Sequence, residues 1–184
     1  MKMRNEIMFA GFGGQGVVKA ALLLSLAAGL HEDKEVAQTQ SYGPEARGGA
    51  CRSEVVISDD EIDYIKTMNI DTFVVMSQPA LDKYFEKLDP EKTVVIADTT
   101  LIRDLPDALQ KVYSVEATRI AEEEFGRSLF ANIIILGALA AITRQISLSA
   151  LENSLEGNVP AKTLESNLAA LKKGYMIGEE LIRN

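Results

Sequence analysis

The run Glu6 to Gly16, EIMFAGFGGQG, constrains the fold more than any other stretch. Glu6 to Ala10 is a short apolar run that ends at glycines, which predicts a buried strand. Val17 to Leu30, VVKAALLLSLAAGL, is rich in Ala and Leu and predicts a helix, with Gly29 weakening its last turn. Between them GFGGQG satisfies G-x-G-x-x-G in the strand–turn–helix context that gives the pattern meaning. Glycines let the backbone turn tightly and let a ligand approach closely. The following helix offers free N–H groups and the positive end of its dipole to an anion. Gly11, Gly13, Gly14, Gln15 and Gly16 are therefore candidate anion-binding residues. Tight strand–helix packing without any ligand is the competing reading, and both stand at this point.

A dinucleotide fold wants an acidic residue about 20 residues on, at the end of the second strand. Glu35 to Gln40 predicts that strand, and it runs into Thr39, Gln40, Ser41 and Tyr42, with Glu32, Asp33 and Glu35 ahead of it. A free-standing dinucleotide-binding oxidoreductase is thus an alternative with its ribose acid missing. Further strands are expected at Arg52 to Ser58, Thr72 to Ser77 and Thr93 to Asp98, with an edge strand at Val112 to Val115. Pro79 suits the opening of a short helix. Helices are expected at Thr118 to Phe125, Leu129 to Thr143, Ser147 to Leu155 (Ser-capped) and Ala161 to Ile182. Early alternation and late helices predict an α/β fold: a single three-layer α/β/α domain spanning residues 1–184. It has a Rossmann-like glycine loop after strand 1 and a helical C-terminal third.

A net charge of −8 argues against a nucleic-acid partner. Cys51 is the single cysteine and His31 the single histidine, so this chain alone cannot ligate an iron–sulfur cluster or a Cys-bound zinc. One free thiol and no targeting pattern fit a cytoplasmic protein. The most apolar stretch, Ile133 to Ile142, is shorter than the ~20 residues that span a bilayer, and reads as a core or interface helix.

The second glycine-rich segment, SYGPEARGG, is more specific. Gly43 and Pro44 impose a turn, and Gly48 and Gly49 permit conformations closed to other residues. Arg47 is a fixed cationic fork suited to carboxylate or phosphate, and Glu45 can orient it. Ser41, Tyr42, Gly43, Pro44, Glu45, Arg47, Gly48 and Gly49 join the candidate site. A surface loop with an internal Glu–Arg pair is the bland alternative.

GFGGQGV at Gly11 to Val17, SYGPEARGG at Ser41 to Gly49, EVVIS at Glu54 to Ser58 and SQPALDKY at Ser77 to Tyr84 occur in one order. That series resembles the gamma subunits of 2-oxoacid:ferredoxin oxidoreductases, the pyruvate/ketoisovalerate oxidoreductase catalytic-domain type. SYGPEARGG looks most like the 2-oxoglutarate branch, then the branched-chain (2-oxoisovalerate) branch. Pyruvate-type subunits read closer to FGPERRGAP, and Ala46 stands where indolepyruvate-type subunits carry Gln. The resemblance implies an enzyme that oxidatively decarboxylates a 2-oxoacid to an acyl-CoA and passes electrons to ferredoxin. It places thiamine diphosphate, magnesium and iron–sulfur clusters on alpha, beta and ferredoxin-like delta subunits. It gives the gamma chain subunit packing and CoA binding, and no catalytic residue. A non-enzymatic scaffold on the same fold is the remaining class.

The glycine loops are expected to follow neighbouring parallel strands and to share one anion-accepting cleft. The isolated chain is expected to self-associate through its late helices, Leu129 to Thr143 and Ala161 to Ile182. Cys51 reads as a small buried hydrophobe, His31 as a surface residue and Glu122 to Glu124 as a solvated helix face. Asp98, ending an apolar strand, reads equally as a ligand-facing group or as a local cap.

Overall fold

The computed structural model describes residues 4–41 and 50–183. Its strands are β1 (Arg4–Phe12), β2 (Glu35–Ser41), β3 (Ala50–Ser58), β4 (Thr72–Val75), β5 (Val94–Asp98) and β6 (Val112–Val115). Its α-helices are α1 (Val17–His31), α2 (Gln78–Tyr84), α3 (Ala117–Phe125), α4 (Ala131–Thr143), α5 (Leu148–Leu155) and α6 (Leu164–Leu181). Local signals act as expected. Pro79 lies in the first turn of α2, and Ser147 Oγ accepts the Ala150 N–H at 3.2 Å to cap α5.

The sheet order is β2-β3-β1-β4-β5-β6, with β6 at the edge as read from the sequence. β1 pairs parallel with β4 but antiparallel with β3, and β3 pairs antiparallel with β2. This corrects the expectation that β1 and β2 are parallel neighbours, because β3 lies between them. β3 carries three consecutive apolar residues, Val55, Val56 and Ile57, and so suits an interior position, whereas β2, EVAQTQS, is mostly polar and suits the edge.

Strand alternation gives β1 two apolar faces, Ile7 and Phe9 on one and Met8 and Ala10 on the other. The first face packs against α1, α4 and α5, with α6 joining through its inner stripe. The second is covered by α2 with Leu88, Ile102 and Leu109. The three layers are therefore unequal. α4 is buried without a break from Ala131 to Ala141, so the IIILGALAAI run is a core helix and not an exposed interface. The stripe of α6 buried against it holds Ala170, Leu171, Gly174 and Gly178. An added Cβ on Gly137 would overlap the Leu171 carbonyl, and one on Gly174 the Ile134 carbonyl. No helix among the described residues is long and apolar enough to cross a membrane.

Candidate functional site

The glycine turn sits at the carboxyl end of β1, between β3 and β4, and leads into α1. Gln15 folds back over it. Its Oε1 accepts the Phe12 N–H at 2.6 Å, and its Nε2 donates to the Met76 carbonyl at 2.7 Å. The Gln15 N–H returns to the Phe12 carbonyl at 3.2 Å. This clamp explains Gly11, where an added Cβ would lie 2.5 Å from Gln15 Oε1 and 3.0 Å from Val17 Cγ1. Gly16 caps α1 with φ of +78°, a conformation that favours glycine. From α4, Asn132 Nδ2 donates to the Gly16 carbonyl at 3.1 Å and walls off the space a side chain there would need. Gly11 and Gly16 thus serve close packing, the ligand-free half of the sequence reading. Both amide clamps were invisible in the motif, since the partners of Gln15 and Asn132 are set by tertiary contact.

The rest of the turn is open. Gly13 is exposed, and an added Cβ on Gly14 would meet nothing within 4 Å. α1 has no side-chain cap, and its first backbone bond is from Ala20 N to the Gly16 carbonyl, so the N–H groups of its first turn stand uncapped. A hollow of about 350 Å³ lies beside that helix end, lined by Phe12, Gly14, Val18, Lys19 and Cys51. A second, of about 310 Å³, lies across the turn against Leu101, Thr118 and Leu129. Uncapped donors, an approachable glycine and Lys19 suit an anion such as a phosphate.

The ends of the second glycine segment flank this place. Ala50, which resumes the chain, pairs directly with Phe12, and Ser41 pairs with Arg52 one strand further out. Tyr42, Gly43, Pro44, Glu45, Arg47, Gly48 and Gly49 lie outside the described residues. The position that would hold a ribose-binding acid in a dinucleotide fold is displaced, because β2 is not adjacent to β1. Glu54 of β3, which pairs with Thr39 of β2 in the sheet, is engaged by Thr39 Oγ1 at 3.2 Å and by Arg52 at 3.4 Å.

Asp98 is resolved as a cap. Its buried carboxylate accepts Thr118 Oγ1 at 2.5 Å, the Thr118 N–H at 3.2 Å and the Thr100 N–H at 3.2 Å. It ties the end of β5 to the start of α3. Cys51 is partly buried against the first apolar cluster, and loss of water raises its thiol pKa, which opposes a nucleophilic role. His31 is exposed.

Residues 6–177 match the family model of pyruvate ferredoxin/flavodoxin oxidoreductase. The 2-oxoglutarate synthase subunit KorC of Methanocaldococcus jannaschii is 46% identical over 183 residues, covering 98% of this chain and 97% of the relative. Pyruvate synthase subunit PorC of Methanothermobacter thermautotrophicus is 32% identical over 96% of this chain and 97% of the relative. The gamma subunit of a keto/oxoacid ferredoxin oxidoreductase from Geobacter sulfurreducens superposes with a TM-score of 0.84 at 36% identity, covering 95% of this chain and 98% of that one. With the fold and the full-length correspondence in agreement, the chain belongs to the pyruvate ferredoxin/flavodoxin oxidoreductase family, as a gamma-type subunit of the 2-oxoacid:ferredoxin oxidoreductases.

Proposed function

We propose that this chain is the gamma subunit of a 2-oxoglutarate:ferredoxin oxidoreductase. The assembled enzyme oxidatively decarboxylates the 2-oxoacid to its acyl-CoA and passes the electrons to ferredoxin. The observation that carries the reading is full-length similarity to a subunit and not to a whole enzyme, closer to the 2-oxoglutarate than to the pyruvate relative. Thiamine diphosphate, magnesium and the iron–sulfur clusters belong, on this reading, to alpha, beta and delta partners, since one cysteine cannot hold a cluster. The chain works in the cytoplasm, beside its ferredoxin. Its own contribution is packing among those partners and a seat for CoA.

For that seat the first turn of α1 would take a phosphate on its free N–H groups, with Gly13 and Gly14 allowing close approach and Lys19 adding charge. Arg47 would supply a second, charge-assisted contact from the Ser41 to Gly49 segment. CoA supplies the thiol that receives the acyl group. This chain's residues hold and orient its anionic end.

Reconstitution tests the reading. The isolated chain should reduce no viologen dye with 2-oxoacid and CoA. Co-expressed with its partners, it should support turnover of 2-oxoglutarate ahead of pyruvate and 2-oxoisovalerate. Turnover by the chain alone, or a preference for pyruvate, would count against it. In the assembled enzyme, Arg47→Ala should raise the KM for CoA more than that for the 2-oxoacid, at a cost of about 1.5–3 kcal/mol. Equal effects on both would mean packing in place of CoA contact.

A further inference from the structure

Among the described residues, the apolar cluster on the sheet's second face takes no residue from β2. Two adjoining hollows of about 250 and 350 Å³ run along it and share Arg52, Glu54 and Lys66. Lys87 lines the larger one, and its Nζ lies 5.7 Å from the centre of the Tyr84 ring. Arg52 lies 5.5 Å from the same ring and pairs with Glu54 at 3.4 Å. Lys66 and Lys87 have no carboxylate within ion-pair distance among the described residues. The groove is therefore net cationic on a chain of net charge −8.

Residues 59–71 form one lip of this groove, without helix or strand, yet they are pinned from below. The buried Glu6 carboxylate accepts the Met68 N–H at 2.5 Å and the Asn69 N–H at 2.7 Å. Arg4, itself paired with Glu6 at 2.9 Å, donates from Nη2 to the Tyr64 carbonyl at 2.9 Å. The pinned loop turns Tyr64, Ile65 and Met68 to solvent at 49, 54 and 66% exposure. Three large apolar groups on one short loop are more than scattered surface residues. Glu61 and Asp63, on its other limb, line neither hollow.

We propose that this groove docks an acidic segment of a neighbouring subunit of the same enzyme. Carboxylates of the segment meet Lys66 and Lys87, and an apolar residue of it packs on Ile65 and Met68. The proposal rests on the subunit function above. Charge sign selects the chemistry of the segment, since Lys66 and Lys87 attract carboxylates at short range whatever the sign of the chain's net charge. The Glu6 and Arg4 anchors pre-organise the apolar lip, which removes an ordering cost from docking.

The test uses the co-expressed complex. Lys66→Glu/Lys87→Glu should weaken association with the partner chains at least tenfold and flatten its dependence on salt. Ile65→Ser should give a smaller loss. All three positions are exposed, so the isolated variants should keep the wild-type Tm. Unchanged affinity and salt dependence would overturn the groove and leave the proposed function standing. Normal assembly with a raised KM for CoA would assign the groove to a small anion and overturn it. Loss of a homodimer with hetero-assembly intact would assign it to a second copy and overturn it. A wild-type chain that joins no partner would overturn both readings.

Discussion

The α4–α6 helix pair and the loop of residues 59–71 are held by opposite means. The helices meet backbone to backbone, with Gly137, Gly174 and Gly178 permitting an approach that no side chain could share. The loop owes its shape to one buried carboxylate, Glu6, and to the arginine paired with it. Close packing between helix backbones is steric and indifferent to pH. A carboxylate anchor is polar, works through a few hydrogen bonds and can be released piece by piece. The first gives the chain a rigid frame behind the sheet. The second lets a segment with no regular structure hold apolar side chains in water. Two substitutions separate these mechanisms.

Gly174→Ala has the largest expected effect. The added methyl falls on the Ile134 carbonyl, a backbone atom that moves only if the two helices part. Overpacking of this kind should cost about 3 kcal/mol, read from the denaturant midpoint and constant from pH 5 to 8. A variant as stable as wild type would mean that the helices cross more loosely than the structure has them. Glu6→Ala should cost less, about 2 kcal/mol, by leaving the Met68 and Asn69 N–H groups without their acceptor. Hydrogen exchange should accelerate at Met68 and Asn69 and stay unchanged at the centre of α4. Uniform acceleration across both regions would dissolve the contrast.

The sequence made the frame more legible than the anchors. Apolar runs ended by glycine or aspartate located β1, β3 and β5, and Ser147 and Pro79 marked helix starts that the structure keeps. Strand order was hidden, because β3 inserts between β1 and β2 and its two-sided burial shows only once the sheet is assembled. The IIILGALAAI run was recognisable as a helix, but an apolar run with no polar face cannot say whether chain or partner covers it. Here the chain covers it. Of the surface expected for self-association, Leu129 and Met176 are the large apolar side chains left exposed among the described residues. The glycine turn was visible as a motif, while its fillers were not. Asn132 reaches Gly16 from 116 residues away. Glu6 looked like the first residue of a strand, and only the returning loop makes its carboxylate an anchor.

Asp71 sharpens the comparison at its smallest scale. The residue is exposed, but one carboxylate oxygen turns inward to accept the Glu6 N–H at 2.8 Å. Loss of water raises its pKa, and repulsion from Glu6 adds to that, against the pull of the accepted N–H and of Arg4. A carboxyl group whose pKa is higher in the folded than in the unfolded state binds its proton more tightly when folded. Its effect on stability is therefore unfavourable at neutral pH and fades as pH falls through the folded value. Asp71→Asn keeps an acceptor for the Glu6 N–H and removes the charge. It should match or slightly exceed wild-type stability at pH 7, by less than about 0.5 kcal/mol because solvent screens the site. The difference should shrink as wild-type Asp71 takes up its proton, and Gly174→Ala should show no such drift. Paired thermal melts of both variants from pH 7 to pH 4 give the comparison directly. An Asp71→Asn deficit that holds at every pH would assign Asp71 a hydrogen-bonding role alone, and the electrostatic half of the contrast would then rest on Glu6.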